Sequence, residues 1–152
     1  MTLAIRIHGA EDADAPLVGG YVFEKMLALA RETSQPVPDD PKPDVLFHQW
    51  VRRQLVVSGL WDDGKIIGCD VLVIGSSMLG SSMQAAQVLG LYVEESHREK
   101  GGALMLRRAS VAVLKAMGVR HLIDTVRPGT RVHKLALEFG NKYEFLYGIH
   151  EV

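Results

Sequence analysis

Val93-Glu94-Glu95-Ser96-His97-Arg98-Glu99-Lys100-Gly101-Gly102-Ala103-Leu104 is the stretch on which the reading of this chain turns. Before it, the apolar run Gln84–Glu94 closes on Leu89-Gly90-Leu91-Tyr92-Val93 and predicts a strand. After it, Ala103–Met117 is apolar on a broad face through Leu104, Leu106, Val111 and Leu114, and Gly118 supplies a left-handed cap. The stretch is therefore a strand, a tight turn and the start of a helix. A helix start presents unpaired N–H groups and the positive end of its dipole, the geometry that binds a phosphate anion. Small residues at 101–103 let an anion approach the backbone, and Arg98 and Lys100 add positive charge.

Two better-known phosphate loops do not fit. No Gly-Lys-Ser/Thr follows a spaced glycine, and the three spaced glycines of a dinucleotide site after an early strand are missing. What Arg98, Gly101 and Ala103 do resemble is the central motif of the GNAT N-acetyltransferases: arginine or glutamine, two residues, glycine, one residue, then glycine or alanine. The resemblance spans roughly residues 60–152, and two earlier helices fit the family's N-terminal half.

The resemblance implies an α/β (α+β) fold. Its centre is a mixed, mostly antiparallel twisted sheet with helices on both faces and a splayed central strand pair. It implies acetyl-CoA as cosubstrate, held by Leu91, Tyr92 and Val93 along the pantetheine arm. Arg98, Glu99, Lys100, Gly101, Gly102 and Ala103 would hold the pyrophosphate. A backbone N–H near Val93 would polarise the thioester carbonyl. No metal is expected. The family commonly forms dimers, so a homodimer is expected too, with Tyr143–Ile149 contributing.

Catalysis needs a proton acceptor and a donor to the leaving thiolate. Glu94, Glu95 and His97 are candidate acceptors, with Glu94 next to the strand end; His133 is a further candidate. The family's late tyrosine is missing in either register. If Gly140 is the motif glycine, Ala136 fills the tyrosine position and Gly129 the asparagine position. If Phe145 is the final aromatic, the tyrosine position is Gly140. Tyr143 is the nearby substitute. Two readings follow: an N-acetyltransferase acting on a primary amine, or a non-catalytic module that keeps the fold and binds CoA or a protein partner.

Elsewhere the sequence sets bounds. The 152 residues fit one domain, 1–152, and the 47% hydrophobic and 23% charged residues suit a globular chain. A net charge of −1, from 17 basic and 18 acidic residues, gives no case for nucleic acid. A lone cysteine, Cys69, forms no internal disulfide and is expected to be buried. No apolar stretch approaches the roughly 20 residues of a membrane helix, and no signal-peptide pattern is present; a cytoplasmic location is expected.

Remaining elements follow from pattern. Leu3–Ile7 alternates as a strand. Acidic residues from Glu11 to Asp14 and Pro16 suit the first turn of a helix over Leu17–Arg31, against which Gly19 and Gly20 count. Residues 34–43 hold four prolines and form a loop. A second helix is expected over Asp44–Val57, with an apolar stripe of Leu46, Trp50, Val51 and Leu55, and with His48 a possible substrate contact. Asp62-Asp63-Gly64 marks a hairpin. Ile66–Ile74 is a strand covered on both faces, and Gly75–Ser82 a loop. His121–Val126 reads as a strand, Arg131–Phe139 as a short helix, and Tyr143–Val152 as one or two strands.

Overall fold

The computed structural model describes residues 2–33, 35–77, 80–123 and 134. The chain divides into two compact units, Met1–Leu122 and Ile123–Val152. Of the second, only Ile123 and Lys134 are among the described residues, so the architecture below is that of the first unit. The expected elements over Arg131–Phe139 and Tyr143–Val152, and residues 124–126 of the expected last strand, lie outside the described residues.

The described elements run β1 (Leu3–His8), α1 (Ala15–Glu32), α2 (Asp44–Val51), β2 (Leu55–Asp62), β3 (Lys65–Ser77), β4 (Gly80–Val93), a 3-10 helix (Glu95–Lys100), α3 (Gly102–Ala116) and β5 (His121–Ile123). The sheet has the order β1-β2-β3-β4-β5. The β1–β2, β2–β3 and β3–β4 pairs are antiparallel. The hairpin at Asp63-Gly64 forms as its sequence predicts: both residues have positive φ, 47° and 78°, which matches the twist of the flanking strands.

Alternation along the strands separates two faces. Val57, Cys69 and Val71 face α1 and α2 through Val18, Val22 and Trp50. Val56, Leu72 and Ala86 pack with Leu114, while Leu60, Ile67 and Val93 pack with Leu106 of α3. Helices therefore cover both faces, as expected, and Cys69 is fully buried. Burial raises the Cys69 thiol's pKa well above its usual range.

Three expectations need correction. The second helix ends at Val51, not Val57. Arg53 turns into the left-handed region at φ 57°, and Leu55–Val57 join the sheet along Val71–Val73 of β3, with Val57 also paired with His8 of β1. Those three residues are buried on both faces, and a short continuous apolar run cannot by itself distinguish strand from helix. The loop over 75–82 is mostly strand: the ladder continues through Gly75↔Ala85 and Ser76↔Gln84. Backbone hydrogen bonds extend a hairpin without any apolar side-chain signal. The acids before α1 do not enter its first turn. Asp12 accepts from the Gly9 N–H at 2.8 Å, and Asp14 lies 3.4 Å from His8 Nδ1.

The doubt raised by Gly19 and Gly20 has a local answer. A Cβ at Gly19 would stand 3.3 Å from the Trp50 ring, so the missing side chain lets α2 seat its tryptophan against α1. Likewise, a Cβ at Gly90 would meet Met26 Sδ at 2.5 Å, which brings α1 close against β4. At that point β4 carries a bulge: Gly90 pairs with Val71 but Val88 with Leu72, leaving Leu89 as the extra residue.

Candidate active site

The β4–α3 connection is a 3-10 turn that ends on Gly101 at φ 75°. That conformation favours glycine, and it starts α3 with no side chain capping its N–H groups. The three small residues divide the work. A Cβ on Gly101 would meet nothing within 4 Å, so the face there is open; a Cβ on Gly102 would stand 2.5 Å from Leu60 Cδ2. Gly102 is thus small to let α3 pack on the sheet, and Gly101 is small to turn the chain beside the open face. An uncapped helix start with open space before it fits a phosphate group.

Arg98 fixes the turn to the strand end. Its Nε donates to the Val93 carbonyl at 2.9 Å, and its guanidinium lies 5.8 Å from the centre of the Tyr92 ring. The Glu94 N–H donates across to the Ile67 carbonyl at 2.8 Å. Successive N–H groups alternate along a strand, so the Val93 N–H points away from β3. That is the group expected to face the acyl carbonyl.

A second tether joins the turn to the β2–β3 hairpin. His97 Nε2 is 3.1 Å from Asp62 Oδ2, and Ser96 Oγ is 2.8 Å from His97 Nδ1. With the Nε2 proton directed to Asp62, Nδ1 accepts from the serine hydroxyl. The chain of contacts resembles a hydrolytic Ser-His-Asp set, but its place in the turn gives it a mechanical function: it fixes the 3-10 segment on the end of β2.

Glu94 is the centre of the polar cluster on the α1 side. Its Oε1 accepts from Tyr21 Oη at 3.1 Å and lies 3.2 Å from Lys25 Nζ; its Oε2 accepts from Tyr92 Oη at 3.1 Å. Burial opposes ionisation of this carboxyl. The hydrogen bond and charge of Lys25, followed by the bonds from the two tyrosines, outweigh it and hold the pKa below the usual value. Burial and then the Glu94 charge raise the Tyr21 pKa strongly and the Tyr92 pKa as well. Burial alone would lower the Lys25 pKa, but its bonds to Glu24 and Glu94 raise it. Lys25 Nζ also stands 5.2 Å and 5.1 Å from the Tyr21 and Tyr92 ring centres.

The sequence reading missed Tyr21 and Lys25 as site residues. Their i, i+4 spacing puts them on one face of α1, but nothing in the sequence pairs that face with the end of β4. It named Glu94, Arg98 and His97, which lie together around the turn. Leu91 and Tyr92 lie on β4 beside it, and Glu99, Lys100 and Ala103 lie in the turn and at the α3 start. His48 is exposed on α2. Tyr143, His133, Ala136 and Gly140 lie outside the described residues.

One further cluster, His8, Asp12 and Asp14, gathers three metal-type ligands. Trp61 Nε1–H donates to His8 Nε2 at 3.1 Å, so the neutral ring carries its proton on Nδ1, toward Asp14. With His8 buried, Asp14 half-buried and Asp12 exposed, the cluster reads as a tether between β1, β2 and the α1 start.

The sequence profile of the acetyltransferase (GNAT) family matches residues 23–140, and the chain belongs to that family. No curated protein sequence matches it. Among solved structures, an aminoglycoside acetyltransferase from an uncultured soil metagenomic sample superposes with a TM-score of 0.73 at 14% identity, covering 100% of this chain and 99% of the other. A ribosomal-protein-alanine N-acetyltransferase from Brucella melitensis biovar Abortus gives 0.67 at 16% identity, covering 99% of each. A protein named as a predicted acetyltransferase from Clostridium acetobutylicum, solved with acetyl-CoA, gives 0.70 at 13% identity, covering 97% and 96%. These likenesses establish the fold. No helix among the described residues is long and apolar enough to cross a membrane.

Proposed function

We propose that this GNAT chain transfers an acetyl group from acetyl-CoA to a primary amine, using residues 1–152 as one functional domain. The observation that supports this most is the uncapped start of α3, opened by Gly101 at positive φ and tied by Arg98 to the Val93 carbonyl. The N–H groups from Arg98 to Ala103 take the pyrophosphate, with Glu99 and Lys100 in the same turn. Leu91, Tyr92 and Val93 line the pantetheine arm. Acetyl-CoA supplies the acyl group as an activated thioester.

In this reading the Val93 N–H polarises the acyl carbonyl, and charge developing there is met by a fixed donor. Glu94 receives the proton that the acceptor amine loses. Its low basicity means the carboxylate stays ionised through neutral pH and passes the proton on to solvent. Tyr143 is the proposed donor to the departing thiolate. The protein works in the cytoplasm as a homodimer.

Thiol release from acetyl-CoA across a panel of amines tests the reading. An aminoglycoside and an alanine-ended peptide belong in the panel, because neighbouring structures carry those acceptors' names. Sustained turnover with any amine is the expected result. Tight CoA binding with no turnover across the panel would favour the non-catalytic module, for which the absent late-motif tyrosine is the motive.

A further inference from the structure

The amine already seated against Glu94 is the protein's own. Lys25 Nζ lies 3.2 Å from Glu94 Oε1, between the Tyr21 and Tyr92 rings, and its side chain is 16% exposed. Glu94 directly follows Val93, whose N–H points off the β3 ladder. An acceptor amine must make the same contact with this carboxylate. We propose that Lys25 is a self-acetylation site, modified within its own chain by bound acetyl-CoA; this rests on the acetyltransferase reading above.

The step balances without another reagent. Lys25 passes a proton to Glu94 across their existing contact and attacks as the neutral amine. A bond forms between Nζ and the acetyl carbon and the carbon–sulfur bond breaks; the second proton of the attacking nitrogen goes to the thiolate, which leaves as CoA, and Glu94 releases the first proton to solvent. The products are Nε-acetyl-Lys25 and free CoA. Glu24, Glu94, Tyr21 and Tyr92 face this ammonium from α1 and the end of β4, with the Cys69 thiol of β3 nearby, and the bonds to Glu24 and Glu94 keep it charged. Self-acetylation is therefore a slow, single event that speeds up as pH rises.

The modification would also act on the site. Acetylation removes the cation that lowers the Glu94 pKa and leaves a neutral amide between two tyrosine rings. Glu94 becomes a stronger base, and the space near it changes shape. The chain thereby exists in two forms with different pH dependence.

The experiment uses the full chain with acetyl-CoA and no acceptor, followed by intact mass and peptide mapping. The expected result is one acetyl group on Lys25, gained at a rate per molecule that does not depend on protein concentration. Lys42 is the internal control for chemical acetylation, because its side chain is 66% exposed. Uncatalysed transfer would favour Lys42. Glu94→Gln should slow modification of Lys25 by about a hundredfold, the scale of a proton acceptor, and leave Lys42 unaffected. Lys25→Arg keeps the charge and should gain no acetyl there. Calorimetry on the same samples separates the two failures. Acetyl-CoA bound but Lys25 unmodified, or modified no faster than Lys42, overturns this inference alone; no binding overturns the functional reading beneath it.

Discussion

Glu94 is held by three donors from two elements, and this fixes what substitution there should do. Glu94→Gln retains the shape and removes the charge, so kcat/KM for the best amine should fall by about a hundredfold, with acetyl-CoA affinity little changed. Equal loss in affinity and turnover would show that the residue shapes the CoA site instead. Lys25→Met removes the cation that lowers the Glu94 pKa. In the proposed mechanism activity requires the ionised carboxylate, so it should be lost as pH falls through the Glu94 pKa. In the parent that loss falls below the usual carboxylate range; in Lys25→Met it should move to higher pH. An unmoved acid limb would mean that Glu94 does not titrate in the limiting step.

The turn and the start of α3 make predictions at the level of the element. Gly101→Glu places charge and bulk at an open position, and its positive φ costs about 1–2 kcal/mol for a residue with a side chain. That cost leaves most of a typical 5–15 kcal/mol of stability, so the variant should fold and lose acetyl-CoA affinity by at least about tenfold. Gly102→Val differs in kind. Its Cβ would overlap Leu60, and overpacking of about 1–3 kcal/mol should appear in urea unfolding as well as in binding. His97→Ala frees the 3-10 segment from Asp62, and isothermal titration should show weaker acetyl-CoA binding with near-parent stability.

These same elements show what the sequence could carry. The Arg98–Ala103 loop was legible because its chemistry is local: consecutive backbone groups, a left-handed glycine and a helix start. The Asp-Gly hairpin was legible for the same reason. The end of α2 was not, because Leu55–Val57 is apolar in every direction and its strand identity comes from pairing with β3, joined by β1 only at Val57. The Tyr21–Lys25–Glu94 cluster was hidden because its members come from elements about seventy residues apart. Gly19, which counted against the helix, proves to be a contact point, and so does Gly90, a role set by their opposing residues, Trp50 and Met26.

For the whole molecule, α3 is joined to the sheet by a polar seam inside an apolar layer. Ser58 Oγ meets Ser110 Oγ at 2.8 Å, and Arg107 Nε donates to Asp70 Oδ2 at 2.9 Å, with all four residues buried. Ser58 and Asp70 are paired across β2 and β3, and Arg107 and Ser110 are one turn apart on α3, so the seam sets the helix in one register. Such a pair need not add net stability, but removing one partner leaves a buried charge. Arg107→Met should cost about 3–5 kcal/mol in chemical denaturation, and replacing Asp70 as well should recover much of it. With the proposed phosphate site at the start of α3, a destabilised register should also weaken CoA binding.

Calorimetric titration of the purified chain with acetyl-CoA decides whether the Arg98–Ala103 turn is an acetyl-CoA site. Saturable binding at or below the millimolar range is expected, weakened by Gly101→Glu in a variant that remains folded. Absence of binding at millimolar acetyl-CoA, or an affinity unchanged in Gly101→Glu, would contradict it.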